Sequence, residues 1–143
     1  MSKMLPILYA EDNENDIELT LAAFKECNLE NRVDIVRNGQ DALDYLYYQG
    51  KFENRDLENP LVIILDVKMP KIDGIKVLEK IKSDENLKNI PVVMLSSSDM
   101  ENDISNSYRL GANAYVVKPV DFDEFLESVK KIGFFWALIN KTT

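Results

Sequence analysis

Four short apolar runs constrain this chain more than any other feature: Leu5–Ala10, Leu61–Leu65, Pro91–Leu95 and Ala114–Val117. They are rich in Val, Ile and Leu and show almost no polar alternation. Strands of that kind need cover on both faces, which in practice means a parallel sheet between helices. A fifth run, Arg32–Val36, is shorter and more polar and suits an outer strand. Between the runs the apolar spacing changes to three and four. Ile17, Leu21 and Phe24 follow it, as do Gly39, Ala42, Leu43 and Leu46, then Gly74, Val77, Leu78 and Ile81, and finally Phe122, Phe125, Leu126 and Val129. Strand and helix thus alternate five times, which predicts a doubly wound α/β fold with helices on both faces of the sheet.

Two segments stand apart. Ser98–Leu110 carries only Met100, Ile104, Tyr108 and Leu110 as apolar residues, so a helix there packs thinly. Gly50–Pro60, GKFENRDLENP, is a long polar connection and is predicted to be the most mobile loop.

Composition narrows the function. At 143 residues one domain is expected, and a net charge of −8 with scattered Lys and Arg argues against nucleic-acid binding. Cys27 is the lone cysteine, leaving no disulfide framework and no CxxC pair. The start, MSKMLPILYA, is too short in apolar residues for a signal peptide, and no run could span a bilayer, so a cytoplasmic location is expected. The chain contains no His. Acting alone it cannot run a Ser-His-Asp relay, build a His-based zinc site or carry a phosphohistidine.

In a sheet of this type ligands gather beyond the carboxyl ends of the strands. Those ends carry Glu11-Asp12, Asp66, Ser96-Ser97-Ser98 and Lys118-Pro119. Each has a plain structural alternative: a charge favouring a helix dipole, a turn residue, a core hydroxyl or a solvated lysine. Together they bring three carboxylates, a hydroxyl and an ammonium to one edge. Carboxylates so close need a cation, and a hard ion such as Mg²⁺ takes oxygen ligands while keeping waters for a phosphoryl oxygen. Such a site suits phosphoryl transfer, with Asp66, on a central strand, the best candidate to become an acyl phosphate.

These residues resemble the receiver domain of two-component response regulators. The likeness rests on Glu11-Asp12, on Asp66 within LDVKMPKIDG, on Ser96 in VVMLSSS and on Lys118 in YVVKP, and it covers nearly the whole chain. It implies a flavodoxin-like fold with strand order 2-1-3-4-5. It further implies that Asp66 takes a phosphoryl group from a sensor histidine kinase or a phosphotransfer protein. Glu11, Asp12, Asp66 and the backbone carbonyl of Lys68 would form the Mg²⁺ site, Ser96 and Lys118 would contact phosphoryl oxygens, and Tyr115 would be a switch that rotates inward. The Lys118-Pro119 bond is implied to be cis. Ser96 stands where Thr is commoner, and Lys68 places a cation two residues past the acceptor.

The receiver pattern ends near residue 130, so no output domain is expected and 131–143 is expected to form a C-terminal helical extension. Within KKIGFFWALINKTT, Phe134, Phe135, Leu138 and Ile139 cannot all share one core-facing side with Trp136, so a homodimer or partner contact is expected there, with an extended last helix folding back over its own domain as the alternative. That tail and the long loop resemble single-domain regulators that partner bacterial phytochromes. Other readings fit less well. A haloacid-dehalogenase-type phosphatase carries DxD on its first strand, where this chain has Glu11-Asp12-Asn13, and a flavodoxin-like FMN binder needs a Gly-rich loop there. A pseudo-receiver, a phosphorylation-independent interaction module, stays open as an alternative.

Overall fold

The structure is a computed structural model that describes residues 5–29, 31–118 and 121–141, with side chains described as far as Lys131. Its strands are β1 (Ile7–Ala10), β2 (Val33–Val36), β3 (Val62–Leu65), β4 (Val92–Ser96) and β5 (Ala114–Val117). They form one parallel sheet in the order β2-β1-β3-β4-β5, the order implied by the resemblance. The helices are α1 (Glu14–Glu26), α2 (Gly39–Leu46), α3 (Gly74–Lys82), α4 (Glu101–Arg109) and α5 (Phe122–Lys141). Among the described residues no helix is long and apolar enough to cross a membrane.

The chain divides into two compact units. One holds the whole sheet with α2, α3 and α4, and the other holds α1 and α5. In the first, every residue of β1, β3 and β4 is buried, as their unbroken apolar runs require. Leu8, Ala10, Ile63, Leu65, Val92 and Met94 join Val77, Leu78 and Ile81 of α3 and Ala42, Tyr45 and Leu46 of α2 in one core cluster. Caps set where the helices begin. Asn38 accepts a hydrogen bond from the Asp41 N–H, and Asp73 accepts one from the Lys76 N–H. In the second unit, α1 buries Ile17, Thr20, Ala23 and Phe24 and packs against α5, where Phe125 and Val129 are buried.

Three sequence expectations change. β5 was expected to be a buried strand, but it has a neighbour on one side only, and Ala114, Tyr115 and Val116 are half-buried with Val117 exposed. Phe122, expected in the buried stripe of α5, stands exposed at the start of the helix. The 50–60 connection also differs from a mobile loop. It starts with a single 3-10 turn, Gly50–Phe52, and is pinned by Arg55. That guanidinium lies 3.9 Å from the ring centre of Tyr45 and 4.1 Å from that of Tyr48. Its Nε donates to the Tyr45 carbonyl at 2.7 Å, and its Nη1 donates to the carbonyls of Asp56 at 3.1 Å and Glu58 at 3.0 Å. A loop-only reading of the composition could not see this, because both aromatic partners lie upstream, one of them inside α2. By contrast α4 is as thin as expected: Ser107 is its one buried residue.

Replacing Arg55 by Ala is expected to cost about 2 kcal/mol in urea denaturation, from two ring contacts and three backbone hydrogen bonds. Arg55→Lys should recover little, since an ammonium lacks the planar fork. A loss below about 0.5 kcal/mol, the range of an ordinary surface change, would contradict the clamp.

Candidate acidic site at the carboxyl ends of the strands

The register of the sheet builds the site. Ala10 pairs with Leu65, so the next residues, Glu11 and Asp66, leave adjacent parallel strands side by side. The Asp66 N–H donates to the Ala10 carbonyl at 3.1 Å, and the Glu11 N–H donates to the Val36 carbonyl at 3.0 Å. Carboxylate oxygens of Glu11, Asp12 and Asp66 all lie within 4.8 Å of one another. Glu11 is fully buried, Asp66 is 6% exposed, and Asp12 reaches the surface. The Tyr9 hydroxyl donates to Glu11 Oε1 at 3.5 Å.

A glycine fixes the acceptor strand's exit. A Cβ on Gly74 would fall 1.9 Å from the Asp66 carbonyl oxygen, so only glycine lets the start of α3 press against Asp66. The Gly74 N–H donates to the Val67 carbonyl at 2.7 Å and closes the loop. Gly39 does the same from α2, where a Cβ would fall 1.9 Å from the Ile72 carbonyl oxygen. The sequence reading placed both glycines on helices and missed this close packing. The signal in the sequence is that each glycine opens its helical pattern directly after Asn38 or Asp73. Between these contacts the Lys68 side chain is exposed, and its backbone N–H donates to Asp66 Oδ1 at a long 3.4 Å.

Ser96 ends β4 almost fully buried, and its Oγ accepts the Ser98 N–H at 3.1 Å. Tyr115, on β5, packs against the core cluster and donates its hydroxyl to the Ser98 carbonyl at 2.8 Å. Burial raises the Tyr115 pKa above the ordinary phenol value; hydrogen bonding to Ser98 and Ser96 works against that rise, and the charges of Asp103 and Asp66 add to it. The expected inward rotation therefore has a different starting point, because the ring is already tied to the loop that follows β4. Lys118 follows β5 directly and belongs to the other unit, with α1 and α5. It is not a solvated lysine: its side chain is 8% exposed, and its Nζ lies 2.9 Å from Asp16 Oδ2 on α1. Nothing in the position of Asp16, in the first turn of a helix, set it apart from a charge favouring the dipole. Pro119, the other half of the bond implied to be cis, lies outside the described residues, as do the side chains of Phe134, Phe135, Trp136, Leu138 and Ile139.

The structure thus brings Glu11, Asp12 and Asp66 into one cluster at the end of β1 and β3, and joins Ser96 to Tyr115 through Ser98. The donors of the cluster are all hard oxygens, and the set suits a hard divalent cation.

Known proteins resemble this chain along most of its length. The family described as the response regulator receiver domain matches residues 7–130. A probable methanogenesis regulatory protein, FilR2 of Methanothrix harundinacea, is 35% identical over 136 residues, which cover 95% of this chain and 86% of that protein. Among solved structures, the phosphorylated cyanobacterial phytochrome response regulator RcpA superposes with a TM-score of 0.86 at 40% identity, covering 94% of this chain and 95% of that one. The Mn²⁺-bound form of response regulator Rcp1 superposes with a TM-score of 0.85 at 36% identity, covering 92% and 94%. With a match across most of its length, with this strand order and with this acid cluster, the chain belongs to the response regulator receiver domain family.

Proposed function

We propose that this chain is a phosphoacceptor signalling protein in which Asp66 takes a phosphoryl group from a phosphohistidine and the chain then changes the surface it offers to partners. The observation that carries this reading is the placement of a nearly buried Asp66 directly after the central strand β3 and beside two further carboxylates. An Asp66 oxygen forms the new P–O bond while the P–N bond to histidine breaks, and the imidazole keeps the electron pair. Since this chain has no His, the phosphohistidine belongs to another protein, a sensor histidine kinase or a phosphotransfer protein. Hydrolysis of the acyl phosphate returns Asp66 to its carboxylate. The chain thereby promotes its own loading and unloading without turning over a separate substrate.

Glu11, Asp12 and Asp66 fit a divalent cation, and the electrostatics call for one. Glu11 and Asp66 are both buried, and two such charges within 4.8 Å repel by about 3 kcal/mol at an effective dielectric constant near 20. Mg²⁺ is the proposed ion, held by these carboxylates and by the backbone carbonyl of Lys68 that the family resemblance adds. When bound it supplies positive charge against the phosphoryl oxygens. By the family resemblance, Ser96 contributes a hydroxyl to those oxygens and Lys118 an ammonium. The Lys68 side chain, exposed two residues past Asp66, adds a weaker, screened positive field at the rim. Tyr115 reports the state of the site to α4 and β5.

The chain works as a single receiver domain with 131–143 as its C-terminal extension; α5 continues as one helix to Lys141. Support for a single-domain regulator comes from relatives matched along most of their own length. The name of RcpA as a phytochrome response regulator supports a phytochrome-like kinase as the partner. The apolar tail KKIGFFWALINKTT supports homodimerisation through the C-terminal helix.

Incubation with Mg²⁺ and a small acyl phosphate donor is expected to add one phosphoryl group by intact-mass measurement. Asp66→Asn, or chelation of the metal, should abolish the gain. A wild-type protein that stays unmodified under these conditions would favour a phosphorylation-independent interaction module instead.

Sedimentation addresses the tail. The double variant Phe135→Asp, Trp136→Ala should halve the mass of a dimeric wild type. An unchanged mass would remove the C-terminal helix as the dimer contact.

A further inference from the structure

Ser98 takes part in four hydrogen bonds after β4, and neither the family pattern nor the sequence reading gave it a role. Its backbone N–H donates to Ser96 Oγ at 3.1 Å, and its carbonyl accepts the Tyr115 hydroxyl at 2.8 Å. Its own hydroxyl donates to Asp103 Oδ2 at 2.6 Å and accepts the Met100 N–H at 3.4 Å. One residue therefore ties the Ser96 hydroxyl, at the end of the strand paired with β3, to the β5 tyrosine and to the first turn of α4.

Asp103 anchors this node. It is the third residue of α4 and is partly buried, and its contact is a short charge-assisted hydrogen bond. The helix it belongs to has little else to hold it. Its N-cap, Met100, is exposed and offers no side-chain cap, and Ser107 is its one buried residue. The Ser107 hydroxyl turns back onto the Asp103 carbonyl at 2.7 Å, which stiffens the same turn. At the far end the Tyr108 hydroxyl accepts the Tyr115 N–H at 3.0 Å. Tyr115 is thus gripped at its ring by Ser98 and at its backbone by Tyr108. With so little apolar packing, these polar ties set where α4 sits.

The direction of the Ser96 bond matters chemically. The Ser98 N–H occupies an acceptor site of Ser96 Oγ, which leaves the Ser96 proton available to donate. A serine lacks the methyl that restricts threonine rotamers, so an external hydrogen bond has more to do here.

We propose that the Asp103–Ser98 pair is a positioning latch. It aims the Ser96 hydroxyl at the phosphoacceptor site and holds Tyr115 inward before any phosphoryl group arrives, so that α4 and Asp66 are coupled in the unmodified protein. This rests on Asp66 as the acceptor, as proposed above, but the latch itself exists without phosphoryl transfer.

The test uses Ser98→Ala, Asp103→Ala, the double variant and Asp103→Asn in the full chain. Tyr115 ring resonances, assigned by comparison with Tyr115→Phe, are followed by NMR in the unphosphorylated state, and loading from a small acyl phosphate is timed separately. Either alanine variant should shift the Tyr115 resonances and slow loading about fivefold, the weight of one hydrogen bond. The double variant should be no worse than either single one, since both break the same bond. Asp103→Asn keeps an acceptor oxygen and should restore the wild-type spectrum and rate. Unmoved Tyr115 resonances in both alanine variants, or single effects that add in the double, would overturn the latch. Because the NMR arm needs no phosphoryl group, a wild type that fails to load would sink the acceptor role and leave the latch to be judged by its spectrum.

Discussion

The site depends on an electrostatic conflict between Glu11 and Asp66. Parallel pairing of β1 with β3 forces these carboxylates off neighbouring strand ends, and burial denies them the water that would screen them. A repulsion near 3 kcal/mol is a large share of the roughly 5–15 kcal/mol that stabilises a domain. The fold absorbs this with a rigid frame. Three fully buried strands fix the carboxylates from behind, and Gly74 locks the loop in front by packing its bare Cα against the Asp66 carbonyl. The same conflict suits the cluster to a divalent cation.

Around this hard centre the rest of the site is soft. Ser96 and Tyr115 are joined by hydrogen bonds through Ser98, the one half-buried residue of an otherwise exposed loop, and the helix that follows is held by polar contacts more than by apolar burial. A helix with so few buried contacts has lower local stability than one with a buried apolar face. The clamp of Arg55 on Tyr45 and Tyr48 lies elsewhere, beside β2, and stiffens a connection that composition marked as loose.

Much of this was legible in the sequence, and the limits have physical causes. Unbroken apolar runs gave β1, β3 and β4 because a strand buried on both faces leaves little room for polar residues. The polar residues at their ends gave Glu11, Asp12, Asp66 and Ser96, because a parallel sheet gathers its carboxyl ends on one edge. β5 was misjudged as buried because apolar composition cannot tell a central strand from an edge. Gly74 read only as a helix position, since a close backbone approach depends on what lies across from it. Asp16, Arg55 and Asp103 carry no local signal at all. Their roles come from partners far along the chain or from a loop whose path only the fold supplies.

The central claim is that Asp66, and no other carboxylate of the cluster, carries the phosphoryl group. Reduction of the loaded protein with borohydride settles this, because it converts an aspartyl phosphate to homoserine while leaving free carboxylates untouched. Peptide sequencing should then find homoserine at position 66 and aspartate at position 12. Homoserine at position 12, or an unreduced residue at 66 in a protein that has gained a phosphoryl group, would contradict the account.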